Sequence, residues 1–167
     1  VAVSGGPDSM SLVFLLHNWI RKKKGNLIAL IIDHQIRKNS NQEAQSVNKY
    51  LFNHQIKSKI LRINKKNVNK MNMSEARKNR FEKLTNYCQK NHILHLFLAH
   101  HYDDNLETFL LRKIAGSNIE GLRSIQNKTI INKLQIIRPL LSYEKRNILD
   151  YNKIQKIKYI NDPSNLK

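Results

Sequence analysis

The sequence predicts one α/β domain: a doubly wound, mainly parallel sheet with helices on both faces and a small C-terminal extension. Three observations carry that expectation. As far as Gly116, apolar runs of strand length alternate with amphipathic helical segments, the βαβ rhythm that builds a parallel sheet through right-handed crossovers. The opening Val1-Ala2-Val3 runs straight into Ser4-Gly5-Gly6-Pro7-Asp8-Ser9 and then into a helix. Polar clusters close three apolar runs, at Ser4 to Ser9, Asp33-His34 and His100 to Asp104, and ligands of such sheets bind at the carboxyl ends of the strands.

The elements follow in order. After the first strand and its glycine turn, Leu12, Leu15, Leu16, Trp19 and Ile20 recur at the spacing of one buried helical face. Leu27-Ile28-Ala29-Leu30-Ile31-Ile32 is continuously apolar, as a strand covered on both faces must be. Ser40 and Glu43 have capping-box spacing and open a helix to about Asn53. Lys59 to Ile63 is a third strand, and the polar residues 64–72 are a loop. Ser74 then caps a long helix whose inward face carries Ala76, Phe81, Leu84, Tyr87 and Cys88. Ile93 to Ala99 is a fourth strand; Asp103 opens a helix with Leu106, Phe109, Leu110 and Ile114 on one side. Residues 1–128 form the main unit. Residues 129–167 extend it with two extended segments, Thr129 to Leu134 and Gln135 to Leu141, and a helix from about Ser142 to Lys156.

The first turn is built for phosphate. Gly5 and Gly6 allow the positive φ angles of a concave backbone nest and let an anion approach without a Cβ in the way. The helix that follows aims its positive end and free amides at the same spot. On this view a Cβ at Gly5 intrudes on the phosphate. Ser4 and Ser9 add hydroxyl donors, while Asp8 is a helix cap or a metal-facing carboxylate. Neither Gly-x-x-x-x-Gly-Lys-Ser/Thr nor Gly-x-Gly-x-x-Gly occurs in the sequence, so the ordinary P-loop and the dinucleotide fingerprint are both unsupported.

Composition narrows the class. The 167 residues suit one domain, and no run of about 18 apolar residues is present to span a bilayer. There is no charged start followed by an apolar block and a small-residue cleavage site. The single Cys88 can form no internal disulfide and offers no cysteine pair for zinc or persulfide chemistry, so a cytoplasmic enzyme fits. The chain opens inside a strand without methionine, and its N-terminus is expected upstream. The net charge of +18 suits a polyanionic partner. A bias of the source toward Lys, Asn and Ile is the alternative account.

The stretch Ala99-His100-His101-Tyr102-Asp103-Asp104-Asn105-Leu106-Glu107-Thr108 is the second chemical centre. On a helix, His100, Asp104 and Glu107 share a face. They read as ligands for a divalent ion or as carboxylates that grip an ammonium group and remove its proton. Acids placed only to complement a helix dipole are the plainer alternative.

The loop Ser-Gly-Gly-Pro-Asp-Ser resembles the pyrophosphate loop of the N-type ATP pyrophosphatases, which cut ATP between the α and β phosphates. Six further blocks occur in family order: Ile32 to Arg37, Glu75-Ala76-Arg77 with Arg80-Phe81, Ala99 to Thr108, Gly116 to Leu122, Arg138-Pro139-Leu140-Leu141 and Asp162-Pro163-Ser164-Asn165. Together the seven resemble the catalytic domain of the tRNA(Ile)-lysidine synthetase family and cover nearly the whole chain. Gln35, Phe81, Asn105 and Asn118 depart from that pattern, standing for glycine, tyrosine, glutamine and glycine. The family's C-terminal tRNA-gripping domains are not in this chain.

The resemblance implies an adenine nucleotide alpha hydrolase-like fold and an ATP-dependent ligase. The wobble cytidine of tRNA(Ile) with a CAU anticodon is adenylated, and free L-lysine then displaces AMP. It implies ATP contacts at Ser4, Gly5, Gly6, Pro7, Asp8, Ser9, Asp33, His34 and His100, and Mg2+ on Asp8 and Asp104. Asp104 and Glu107 would hold and deprotonate the lysine amine, which is otherwise protonated (pKa about 10.4). Arg77, Arg80, Arg112 and Arg138 would contact phosphate or tRNA. No membrane partner is implied, and a homodimer is compatible. The alternatives are a tRNA thiolation enzyme with the same loop, a small-molecule amidating ligase, and a non-catalytic nucleotide- or RNA-binding module.

Overall fold

The computed structural model of the chain describes residues 1–33, 40–63, 73–116 and 125–160. The expected roles of His34, of the loop 64–72, of the block 117–122 and of Asp162-Pro163-Ser164-Asn165 lie outside those residues, as does that of the Ser74 side chain. Eleven elements follow one another: β1 (Ala2–Val3), α1 (Pro7–Lys22), β2 (Ala29–Asp33), α2 (Ser40–Asn53), β3 (Ser58–Arg62), α3 (Met73–Lys90), β4 (His95–Phe97), α4 (Tyr102–Ile114), β5 (Lys128–Ile131), β6 (Leu134–Ile137) and α5 (Lys145–Ile154).

The apolar run from Leu27 becomes β2, and its five residues are all buried. Its pleat sends them alternately to two cores. Ala29 and Ile31 pack with Val3, Val13, Leu16, Val47, Leu51 and Ile148, which belong to β1, α1, α2 and α5. Leu30 and Ile32 pack on the other face with Leu61, Leu84, Cys88, Leu96 and Ile136, from β3, α3, β4 and β6. Each such aliphatic side chain contributes roughly 2 kcal/mol of transfer free energy. Two-sided burial requires helices on both faces, which is the expected doubly wound arrangement.

Strands β1, β2 and β3 pair in parallel, with Val3 opposite Ile31 and Ile31 opposite Ile60. β4 pairs in parallel with β6, and β5 closes an antiparallel hairpin on β6. Among the described residues the ladders form two three-stranded sheets, β1-β2-β3 and β4-β6-β5. Leu30 and Leu61 of one sheet share a core cluster with Leu96 and Ile136 of the other, so the two are joined through one core. The hairpin turns at Asn132 and Lys133, whose φ values are +47° and +69°. That is the positive-φ pair of a two-residue hairpin loop, so the break falls before Leu134 and not after it.

Several local expectations are corrected. The buried stripe of α1 is Met10, Leu12, Val13 and Leu16, whereas Leu15 and Trp19 are 38% and 52% exposed. Ser40 is already inside α2, and its hydroxyl donates to Asp33 Oδ1 at 2.8 Å. α4 starts at Tyr102, not Asp103, with His101 as its N-cap, and buries no residue. α5 starts at Lys145 after an N-cap at Glu144, three residues later than expected from Ser142.

One buried network fixes the first turn of α1. Asn152 of α5, 1% exposed, donates through Nδ2 to the Pro7 carbonyl at 3.0 Å and accepts the Ser11 hydroxyl at 2.7 Å. The Ile160 amide donates to the Gly5 carbonyl at 2.8 Å. Residues far down the chain thus hold the loop from behind.

Candidate active site

The loop between β1 and α1 is folded by its own serines. Ser9 Oγ accepts the Ser4 amide at 3.1 Å, lies 3.1 Å from Ser4 Oγ and donates to the Gly6 carbonyl at 3.0 Å. The Gly6 amide reaches Ser4 Oγ at 3.4 Å. Pro7 opens α1 and has no N–H; the first helical bond runs from the Met10 amide to the Gly6 carbonyl. The amides of Asp8 and Ser9 therefore precede the ladder, which is where a helix start can accept an anion.

Gly5 works differently from expectation. Its φ is +90°, and a Cβ there would meet Val47 Cγ2 at 2.9 Å and Ile160 Cδ1 at 3.1 Å. The absent side chain makes room for the core, not for the phosphate. At Gly6 a Cβ would meet only Ser4 Oγ at 3.6 Å, so Gly6 is the glycine with open space before it.

The starts of α1, α4 and α5 converge. The side chain of His101 is 8% exposed; its Nε2 lies 3.8 Å from Asp8 Oδ1 and 3.5 Å from Asp104 Oδ2, and its Nδ1 lies 3.4 Å from Asp103 Oδ2. Asp104 Oδ2 also accepts the His101 amide at 2.9 Å, closing the N-terminus of α4. Asp103 Oδ2 accepts the Lys145 amide at 2.7 Å, closing that of α5; this bond, first among its causes, holds the Asp103 carboxyl below the usual carboxylate range. Lys145 Nζ grips both oxygens of Asp8 at 2.5 and 2.6 Å. Three helix dipoles with positive ends together favour carboxylates at that point.

Beside this knot lies a cavity of about 570 Å3, a size suited to a nucleotide. Ser4, Asp8, Ser9, Arg77, Arg80, His100, Arg112 and Arg138, all expected in the site, line it. Lys78, Phe81 and Thr108 join them. Arg138 is aimed by the hairpin, its Nη1 donating to the Gln126 carbonyl at 2.9 Å and to Thr129 Oγ1 at 3.0 Å. Five cationic side chains face one carboxylate, Asp8, which suits a polyanion. Burial, with Arg77 second, lowers the Arg80 pKa, and burial lowers that of Arg138. A larger cavity, about 820 Å3, is lined mainly by apolar groups such as Trp19, Ile20, Leu27 and Ile93 near the strand starts; it lacks the charge for this chemistry.

His100 stands on the extended segment before α4, so its expected helical spacing to Asp104 does not apply. Its Nδ1 is buried with no hydrogen-bond partner among the described residues, which marks it as a group left for a ligand. Burial pushes its pKa down to about 4; Asp104 opposes that shift, and Arg138, Arg80 and Arg77 reinforce it. A folded-state pKa below the unfolded value of about 6.5 means that the unfolded chain binds the extra proton first. The stability linked to His100 is therefore complete above about pH 6.5 and declines toward pH 4. Imidazole NMR should place its midpoint near 4, and His100→Asn should flatten the fall in stability over that window.

Other expected residues fall elsewhere. Asp33 is buried and takes the Ser40 hydroxyl, without lining the cavity. Gly5, Gly6 and Pro7 shape the loop without lining the cavity, and Glu107 is exposed outside it. Asp104, partly buried, reaches the site through His101. The expected ion on Asp8 and Asp104 does not fit: both Asp8 oxygens are held by Lys145. Among the described residues no three His, Cys, Asp or Glu side chains are placed to hold a metal. Lys78, His101, Thr108 and Lys145 are the site residues that sequence reasoning left without roles. Adjacent histidines on one motif were a signal for His101; nothing local marked Lys145.

A family model described as a PP-loop domain matches residues 1–167. The tRNA(Ile)-lysidine synthase of Orientia tsutsugamushi (strain Boryong) is 41% identical over 165 residues, covering 99% of this chain and 37% of that protein. The enzyme of the same name from Wolbachia pipientis wMel is 42% identical over 167 residues, with 99% and 39% covered. This chain thus spans well under half the length of those relatives. Among solved structures, the U34-tRNA thiolase NcsA from Methanococcus maripaludis with its [4Fe-4S] cluster superposes with a TM-score of 0.83 at 21% identity, over 97% of this chain and 58% of that one. Phosphoadenylyl-sulfate (PAPS) reductase from Candida auris, as a phosphate complex, gives 0.60 at 11% identity, over 95% and 72%. The two structures share the fold.

Proposed function

Because the chain belongs to the PP-loop domain family, we propose that it is the nucleotide-binding part of a tRNA(Ile)-lysidine synthase. ATP occupies the cation-walled cavity with its polyphosphate toward the start of α1. The base oxygen of the wobble cytidine attacks the α-phosphorus, and the bond to the bridging oxygen breaks, releasing pyrophosphate. The side-chain amine of free L-lysine then attacks the activated base carbon, losing a proton, and AMP departs with the oxygen.

The observation that carries this reading is the meeting of the α1 and α4 starts at His101 beside that cavity. The amides of Asp8 and Ser9 bind leaving-group charge. Arg77, Arg80, Arg112 and Arg138 neutralise phosphates of nucleotide or tRNA. Neutral His100 supplies an uncharged hydrogen-bonding edge. Asp104 holds the incoming ammonium and accepts its proton, with Glu107 one helical turn further out. Mg2+ belongs to this reading as the nucleotide's own counter-ion, and no step passes through it. The tRNA(Ile) substrate rests on the two relatives' name and the basic charge. Its CAU anticodon rests on the resemblance of the sequence motifs, and the cytoplasmic location on the single, unpaired Cys88.

Within these residues the thiolation alternative finds no cysteine at the site, because the single Cys88 is buried in the core and does not line the cavity. Among the described residues no helix is long and apolar enough to cross a membrane. Incubation of the full-length protein with the tRNA, ATP and lysine, followed by mass spectrometry of the wobble cytidine, tests the proposal. The mass of a lysine adduct less one water is the expected result; unmodified cytidine, or a sulfur-for-oxygen mass change, would overturn it.

A further inference from the structure

Lys145 enters the site from a distant part of the chain. It is the first residue of α5, 137 positions after Asp8, and its ammonium sits on both Asp8 carboxylate oxygens. Asp8 is the second residue of α1, in the same turn as the amides that precede the helical ladder, and it lines the cavity. An uncompensated carboxylate there stands against the anion that the turn is shaped to take. At a partly desolvated position such repulsion is not screened as it is in open water. The pair is one-quarter to one-third exposed, 33% for Lys145 and 25% for Asp8, so it lies between the weak surface pair and the fully buried one. The backbone of Lys145 is fixed independently, through its amide on Asp103 Oδ2. The cation is thus delivered from a rigid mount.

We propose that Lys145 is a positioning residue of the nucleotide site: it acts through Asp8, cancelling and holding the carboxylate beside the polyphosphate amides. The inference rests on the ATP site proposed above. It makes a sign-specific demand. Removing the lysine should harm nucleotide binding only while the Asp8 charge remains.

Equilibrium binding of ATP in EDTA, with the full-length protein, reads this without turnover. Lys145→Met should weaken ATP by about tenfold, the scale of coupling expected for a close charge pair. Lys145→Arg should recover most of the loss. Adding Asp8→Asn to Lys145→Met should return affinity to within about threefold of Asp8→Asn alone. Thermal melting of each variant separates loss of fold from loss of binding. Unchanged affinity in Lys145→Met overturns the inference. So does a loss that Asp8→Asn fails to rescue, which would make Lys145 a direct phosphate ligand or a helix-packing residue. A parent protein that binds no ATP would sink the nucleotide site itself and this inference with it.

Discussion

Gly5→Ala is expected to destabilise the protein by about 2–5 kcal/mol, while Gly6→Ala stays within about 1 kcal/mol of the parent. The two glycines are neighbours in one loop, yet they do different work. Gly5 sits at φ +90°, where an L side chain is strained whatever space it finds. Its Cβ would also press on Val47 and Ile160, one from α2 and the other tied back by its amide to the Gly5 carbonyl. The closer contact, at 2.9 Å, is to a methyl of the short, buried Val47 side chain, so the core must shift. Gly6 has an ordinary φ of −72° and only Ser4 Oγ in front of it. Chemical denaturation of the two variants gives the stability order. ATP binding by Gly6→Ala then asks a separate question, since its Cβ would occupy open space before the loop. Equal midpoints for Gly5→Ala and the parent would mean that the loop does not close on the core as described.

The same contrast shows what a sequence can and cannot reveal. The apolar run from Leu27 announced β2 because burial on both faces leaves no polar position to mark a period. The strand–turn–helix at Ser4 to Ser9 was legible for a similar reason: its geometry is encoded by neighbours in the chain. The direction in which Gly5 faces was not, because Val47 and Ile160 reach it only through tertiary folding. Lys145 was invisible on the same ground. An ion pair spanning 137 positions leaves no periodic trace in one sequence, and Lys145 is one of 30 Lys and Arg residues.

The block Ala99 to Thr108 was recognised as chemical, but its internal assignment needed coordinates. Helical spacing was applied from His100, whereas the helix begins two residues later. In the extended segment before α4, adjacent side chains diverge. His100 accordingly lines the cavity, while His101 turns to the carboxylates. The apolar face expected for α4 likewise failed, with Leu106 and Leu110 nearly half exposed. Periodicity says that a face exists, and only packing says whether anything covers it.

Asp104→Asn is expected to lower lysidine formation by at least about 100-fold, the scale of a lost general base, with little loss of stability. The structural half of that statement follows from the cap. Asp104 Oδ2 accepts the His101 amide at 2.9 Å, and the carbonyl oxygen of an asparagine side chain can accept the same bond. Asp104→Ala removes that acceptor and should cost about 1 kcal/mol in addition. The functional half follows from charge. An amide neither attracts an ammonium group nor takes its proton, so the amine stays in its unreactive form. Adenylation precedes lysine attack in the proposed sequence, and ATP–pyrophosphate exchange in the presence of tRNA should therefore survive in Asp104→Asn. Loss of both activities would place Asp104 in the first step. Wild-type lysidine formation would leave it a helix cap and nothing more. The asparagine variant separates these cases because it preserves the hydrogen bond while deleting the charge.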